Sequence, residues 1–474
     1  MRNRLRTNYI DKIDWISIFF YLVLVFIGVM TIYQATYIEG TKSLFDFSTL
    51  AGRQLLLTGI AFAIGFVIIF INIDSIRISP LFVYVFSLLT LVITLIIGKR
   101  VNGSTSWIEL GPFALQTSEF AKFATALAIA YVVDNDIHER GKANMIKIFA
   151  ILAIPIALVL MQGDFGTAMM FASLTWIFYR FGLNSKLLIL VFGVILIFFV
   201  QVMGLNNFVV YLSLLLSLIL FNGLFKLSGF VARSIIIITF AFIIGHVISN
   251  YAGINFPYFT SVFMLIAWGT SIFIFKIKKQ LLGLLLIILV AIAFFAYSQA
   301  CAYIFDNILK EHHRSRIRIV LGLESDPLGT GYNLNQSMIA IGSGGFGGKG
   351  FLKGTQAKYE FVPARSTDFI FCTIGEEWGF IGVLVFISIF VLFVARILYL
   401  AERQDSMFSK VFIYCAATFL FFHFFINISM TMGLFPVIGI PLPFISYGGS
   451  SLINFTILVF LTIKLDMHRR DSEH

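Results

Sequence analysis

Apolar runs long enough to cross a bilayer recur along this whole chain, and they constrain its fold class more than any other feature. The stretch from Leu187 to Val202 holds no charged residue. With no water in the hydrocarbon to satisfy backbone N–H and C=O groups, such a segment must close its own hydrogen bonds as a helix. Because roughly twenty apolar residues cross the hydrocarbon, the chain reads as about fourteen spans. They begin near Trp15, Arg53, Pro80, Ser118, Met145, Phe165, Leu187, Phe208, Val231, Tyr258, Leu281, Asp368, Val411 and Ser450. Hydrophobic residues make up 59% of the chain and charged residues 12%, against about a quarter charged in soluble domains. A soluble fold is excluded, and an all-α polytopic membrane protein is expected, with residues 1–474 as a single membrane domain. Cys301, Cys372 and Cys415 fall in or beside apolar segments without CxxC spacing, so neither a disulfide framework nor a zinc site is signalled. Arg2, Arg4, Arg6 and Lys12 precede an apolar run with no small-residue cleavage site, which predicts a retained anchor rather than a cleaved signal.

Lys and Arg concentrate in cytoplasmic loops, so their placement sets orientation. With the basic N-terminus inside, alternate loops should be basic. They are: Arg77; Arg140, Lys142 and Lys147; Arg180 and Lys186; Lys226 and Arg233; Lys276, Lys278 and Lys279; Arg396, Arg403 and Lys410; and the tail Lys464, Arg469 and Arg470. Both termini are therefore expected in the cytoplasm. One outward segment departs from the rule, the long polar stretch 307–367. It carries Lys310, Arg314, Arg316, Arg318, Lys349, Lys353, Lys358 and Arg365 against Glu311, Glu324, Asp326 and Glu360. Long loops translocate regardless of charge; alternatively the loop is an anion-binding surface suited to phosphate-bearing lipid or sugar substrates.

Within that loop, Asp326-Pro327-Leu328-Gly329 matches a type I turn. The same carboxylate, downstream of Arg314, Arg316 and Arg318, could act as a general base beside a cationic clamp, although those cations would lower its pKa. Gly342-Ser343-Gly344-Gly345-Phe346-Gly347 formally satisfies GxGxxG. It lacks the flanking strand and helix of a dinucleotide site, so it reads as glycines that let the backbone fold tightly or approach a ligand. Ionisable residues inside the membrane read by default as functional. Glu119 and Lys122, three apart on one predicted helix, share a face and could pair. Glu376 and Glu377 put at least one carboxylate toward the protein interior. Asp164, and Ser366 or Asp368, read as helix caps. His312 and His313 have no third ligand at metal spacing, and His246 and His423 stand alone in apolar runs, to be satisfied by neighbouring helices.

These pieces together resemble the SEDS (RodA/FtsW) family of peptidoglycan glycosyltransferases. The resemblance is carried by SDPLGTGYNLNQS from Ser325 to Ser337, continued by MIAIGSGGFGGKG, GTQ at Gly354 to Gln356, FVP at Phe361 to Pro363, TDFIF at Thr367 to Phe371 and GEEWGFIG after it. WIELGPFALQTSEFAK from Trp107 to Lys122, GDFGT from Gly163 to Thr167 and PVIGIPLPFISYGGSS from Pro436 to Ser451 extend it over most of the chain. The GTQ element resembles the elongation, RodA-like branch rather than the division, FtsW-like one. The resemblance implies a helical bundle with a family core of ten helices and a large structured extracytoplasmic loop. It implies glycan polymerisation from lipid II in the bacterial inner membrane, the 4-hydroxyl of an acceptor GlcNAc attacking an undecaprenyl-pyrophosphate-linked donor with inversion. It places Asp326 at the family's outer-loop catalytic aspartate, as general base, and Glu119 and Lys122 at the acidic and basic positions of its central cavity. Arg316, Arg318, Lys122 and Glu119 are then the expected substrate-binding residues. No metal ligands are expected; a divalent cation, Mg or Mn, could share in neutralising the leaving group. Expected partners are lipid II, undecaprenyl pyrophosphate, a class B penicillin-binding protein and the elongation machinery that sets cell shape, and no nucleic acid.

The sequence departs from the family pattern in three places. Where that pattern is PExHTDFIF, this chain has Pro363-Ala364-Arg365-Ser366-Thr367-Asp368-Phe369-Ile370-Phe371, so the usual Glu and His are absent. The stretch from Arg318 to Asp326 is about two residues short. About four extra spans, centred on residues 205–280, stand where the family plan has one helix, an even number that leaves the loop outside. Two other function classes fit the same pattern: a flippase or transporter of isoprenoid-linked precursor, with a cavity lined by Glu119, Lys122 and Glu376, and a scaffold that only activates a partner. Asp326 discriminates them, since only a polymerase needs a base on the outer loop.

Overall fold

The computed structural model describes residues 12–37, 45–101, 104–110, 113–135, 142–180, 185–225, 228–251, 262, 264–266, 268, 281–308, 311–321, 323, 331–355, 362 and 364–472. Helices begin within four residues of every expected span start except Tyr258, which lies outside the described residues. Seven described helices are long and apolar enough to cross a membrane, and four shorter apolar helices accompany them. Large apolar side chains such as Phe62, Phe66, Phe82, Phe86 and Phe380 point away from the protein. In water such faces would aggregate; in lipid they cost nothing. The chain is a multi-pass helical membrane protein.

It folds as two compact units, Met1–Ile177 with Pro327–His474, and Phe178–Asp326. The first contains α1 (Trp15–Thr36), α2 (Leu50–Phe70), α3 (Pro80–Ile97), α4 (Thr117–Asn135), α5 (Lys142–Met161) and α6 (Phe165–Ser173). The second contains α7 (Ser185–Val202), α8 (Asn206–Phe225), α9 (Ser228–Tyr251), α10 (Leu281–Tyr303), a π-turn at Ile304–Ile308 and α11 (Glu311–Val320). The first unit resumes with α12 (Tyr332–Ser343), α13 (Phe371–Glu402), α14 (Met407–Thr431) and α15 (Gly449–Ser472).

Local chemistry sets the helix starts of the first unit. Asp14 caps α1 by accepting from Ser17 N at 3.1 Å, Thr49 caps α2 by accepting from Gly52 N at 3.1 Å, and Pro80 sits at the first position of α3. Asp164 caps α6 as expected, accepting from Thr167 N at 2.9 Å. The cap expected from Ser366 or Asp368 is corrected: α13 starts at Phe371, behind Ile370, with no side-chain cap. The backbone carbonyls of Ser366, Thr367 and Asp368 instead accept bonds from Tyr447 N, Ser446 Oγ and Asn427 Nδ2.

One small sheet accompanies the helices of the expected helical bundle. Residues Lys99–Val101, Ser104–Leu110 and Phe113–Gln116 form an antiparallel meander, β1-β2-β3, with Trp107 opposite Gln116 and Leu110 opposite Phe113. Three short strands of mixed polarity give little alternation to read, and pairing along the meander supplies their backbone partners. The loop that carries the GxGxxG string is held by backbone bonds to the kinked helix α13. Gly379 leaves helical geometry at φ 62°, so Phe380 N and Ile381 N donate to the loop carbonyls Gly345 O and Phe346 O, at 2.9 and 3.2 Å. The freed carbonyls of Glu376 and Glu377 accept from Lys349 N and Gly350 N at 3.0 and 2.9 Å. Loop and kinked helix thus exchange backbone bonds.

In the second unit, α8 is buried on two faces. Val209, Leu212 and Leu216 pack with Ile197 and Phe294, while Val210, Leu214 and Leu218 pack with Ile238, Met264 and Trp268. Its buried Ser213 and Ser217 return their hydroxyls to the helix at Val209 O and Leu214 O, 2.8 and 2.7 Å away. Helices α8 and α9 fall in the expected extra segment 205–280, most of whose remainder lies outside the described residues.

Candidate functional site

The predicted pair on α4 forms, and it is sealed. Lys122 Nζ donates to Glu119 Oε1 at 2.7 Å, with side-chain exposures of 0% and 1%. The strand β3 runs directly into α4, and this junction is tied down: Gln116 N donates to the hydroxyl of Ser450 at 3.1 Å, and Gln116 Nε2 donates to the Asp164 carboxylate at 3.2 Å. Thr94 and Thr117 hydroxyls meet at 2.8 Å. The N-terminal end of α4, whose first two turns carry Glu119 and Lys122, is therefore fixed by α3, α6 and α15 together.

Two residues that sequence reasoning did not connect to this pair complete it. His423 of α14 brings Nε2 to 2.8 Å from Lys122 Nζ, and Asn454 of α15 donates from Nδ2 to Glu119 Oε2 at 3.3 Å. The Phe455 ring centroid lies 5.7 Å from the ammonium and 4.9 Å from the imidazole. A buried ammonium is tolerable only when paired and hydrogen-bonded, and here a carboxylate, an imidazole and a ring face supply that. His423 was expected to be satisfied by neighbouring helices, and it is; what the sequence did not disclose is that its partner is Lys122. An isolated ionisable side chain within an apolar run was the signal available.

One turn further along α14, Asn427 Nδ2 donates to Asp368 O at 2.8 Å and to Ile440 O at 2.7 Å. One amide group thus joins the TDF segment to the PVIGIP segment. The expected interior carboxylates are both buried: Glu376 accepts from Lys349 Nζ at 2.6 Å and Thr355 N at 2.8 Å, and Glu377 accepts from Leu352 N at 2.8 Å. Both carboxylates anchor the glycine-rich loop.

The remaining expected residues belong to the second unit. Asp326 lies outside the described residues, as does its turn. Arg318 Nη2 contacts Asp306 Oδ1 at 3.1 Å and its guanidinium lies 5.5 Å from the Phe305 ring centroid; Arg314 Nη1 donates to Asp306 O at 2.6 Å. Arg318 keeps 40% of its side chain exposed, so this ion pair is weak and an incoming phosphate can compete with it. Arg316 lies in α11 with its side chain outside the described set. All three cysteines are buried and free, as expected for packing residues.

Comparison with known proteins agrees with this framework. The chain is 32% identical over 392 residues to the peptidoglycan glycosyltransferase RodA of Treponema pallidum, covering 80% of this chain and 81% of that one. It is 43% identical over 163 residues to the peptidoglycan glycosyltransferase MrdB of Escherichia coli K12, a match spanning 34% of this chain and 44% of that relative. It is 26% identical to the probable peptidoglycan glycosyltransferase FtsW of Wigglesworthia glossinidia brevipalpis over 100% of its length and 98% of the relative's. The fold is shared with a chain from a peptidoglycan synthase complex described as coordinating polymerization and crosslinking, with a TM-score of 0.60 at 22% identity over 96% of this chain and 98% of that one. It is also shared with the rod shape determining protein RodA of Thermus thermophilus, with a TM-score of 0.52 at 17% identity over 99% of each chain. The FtsW/RodA/SpoVE profile, described as cell cycle protein, matches residues 14–219 and 208–471, and the chain belongs to that family.

Proposed function

We propose that this protein is a peptidoglycan glycosyltransferase of the elongation type, polymerising glycan strands from lipid II in the bacterial inner membrane, with both termini in the cytoplasm. The observation that carries the reading is the similarity, along 80% of the chain, to a relative named for that activity. A buried ammonium on α4, at the family's basic cavity position, supports it, since an anionic lipid-linked substrate calls for a cation inside the membrane boundary.

In the proposed reaction Asp326 takes the proton from the 4-hydroxyl of the acceptor GlcNAc as its oxygen attacks the anomeric carbon of the donor. The bond from that carbon to the undecaprenyl pyrophosphate breaks with inversion, and the diphosphate departs with the electron pair. Cationic side chains stabilise that developing charge. Arg316 and Arg318 are assigned to it, as the sequence resemblance implies, and Lys122, paired with Glu119, is assigned to binding the anionic lipid-linked substrate. Among the described residues no three His, Cys, Asp or Glu side chains gather as a metal site. A divalent cation, Mg2+ or Mn2+, would enter as counter-ion of the pyrophosphate. A class B penicillin-binding protein is the proposed partner that crosslinks the product.

The test is polymerisation of lipid II by the purified full-length protein with that partner present. The Asp326→Ala variant is expected to fall by about 10²- to 10⁴-fold, the usual contribution of a positioned general base. Normal strand formation by the variant sinks the assignment of Asp326. Failure of the wild type to polymerise, alongside movement of lipid II across vesicles, points to a transporter instead.

A further inference from the structure

We propose that His423 is the positioning residue for Lys122, fixing which of the three ammonium protons is left for the anionic group of the lipid-linked substrate; the substrate part of this inference rests on the function proposed above. Lys122 has three N–H donors and no acceptor capacity. Glu119 Oε1 takes one at 2.7 Å and His423 Nε2 stands at 2.8 Å to take another. The Phe455 ring offers a cation–π contact and no lone pair in the line of an N–H. Among the described residues the third proton has no acceptor.

The role of the imidazole follows from its two contacts. An ammonium can only donate, so His423 Nε2 must present a lone pair and the ring must be neutral. Its proton then sits on Nδ1, which faces Pro441 O at 3.3 Å. The groups facing the imidazole are Lys122 with Glu119 behind it from α4, Phe455 from α15 and the Pro441 carbonyl. A carboxylate and an imidazole thus pin two of the three directions around Nζ, and a charged lysine is oriented without adding a second negative charge that would neutralise it. Polar capacity is also left over around this lysine. Ser118 and Thr125 stand one turn to either side of Lys122 on the same face of α4, and Ser118 Oγ, Thr125 Oγ1 and Asn454 Oδ1 are buried without partners. Buried polar groups are nearly always bonded, so the third ammonium proton is the donor left over for a further polar group.

Two measurements test the proposal. In full-length protein labelled with 15N-histidine in lipid nanodiscs, the His423 signals are assigned by their loss in His423→Gln. The expected result is a protonated Nδ1 and an unprotonated Nε2 that shifts when Lys122 is replaced by Met. A protonated Nε2, or no response to Lys122→Met, overturns the proposal whether or not the protein polymerises lipid II. In the polymerisation assay, His423→Gln, whose amide oxygen can still accept from Lys122, should stay within about threefold of wild type. His423→Leu should raise KM for lipid II by about tenfold or more, with kcat changed less. Equal losses in both variants, or a loss in kcat alone that follows a fall in Tm, show a packing role and overturn it. If the wild type does not polymerise while the nitrogen signals behave as expected, the orientation of Lys122 stands and the proposed substrate is what fails.

Discussion

At the scale of single residues, buried charges such as Asp14 and Asp466 are met by another chain segment. Asp14 is 3% exposed and both caps α1 and accepts from Arg396 of α13, with Nε at 3.2 Å. Asp466, fully buried on α15, is met by Arg403 and by Gln404 Nε2 at 3.0 Å. Burial would push the Asp14 carboxyl up, but the bonds from Arg396 and Ser17 outweigh it and hold the group below the ordinary carboxylate value. A depressed folded pKa stabilises the fold above the unfolded pKa, about 3.9 for Asp. That contribution is lost as pH falls through the lower folded value. Asp14→Asn, which retains a cap but strands Arg396, should cost about 3 kcal/mol at pH 7. Thermal unfolding in detergent should show the gap between variant and wild type closing below about pH 4; a gap independent of pH would contradict it. The Glu119 and Lys122 pairing was legible because positions three apart share a helix face. The contacts of His423 and Asn454 with that pair were not, since helices 301 and 335 positions away bring them in.

At the scale of elements, close backbone approach decides where glycine is needed. A Cβ on Gly28 of α1 would lie 2.1 Å from Phe444 O, in the loop that returns to Thr367 and Ser366. A Cβ on Gly59 of α2 would meet nothing within 4 Å. Gly28→Ala should therefore destabilise the protein by about 3 kcal/mol, as expected for forced overpacking against backbone. Gly59→Ala should leave stability within about 1 kcal/mol of wild type or raise it slightly. Equal effects on Tm would refute the close approach of α1 to this loop. Both residues look alike in the sequence, as glycines inside apolar helical runs. The exchange of backbone bonds between the glycine-rich loop and the Gly379 kink was equally hidden, because a GxGxxG string records permissive backbone and not what approaches it.

At the scale of the whole molecule, the chain comprises two compact helical units, and the proposed orientation can be read from outside. Lys353 and Asp405 are both exposed, and the native cysteines are buried. In a chain carrying Lys353→Cys, a membrane-impermeant maleimide should label intact spheroplasts, and with Asp405→Cys it should label only after lysis. The reverse pattern would overturn the proposed topology. By itself the sequence determined the helical class, the helix starts and the family, because apolar length, charge placement and motif strings are local properties that survive without knowledge of neighbours. Only the tertiary structure decided which buried charges meet, how the glycine-rich loop is held, and that a histidine in an apolar helix faces Lys122. Those facts depend on side chains far apart in the chain being brought within hydrogen-bond distance, and the energy that selects them comes from satisfying each buried polar group where water is absent.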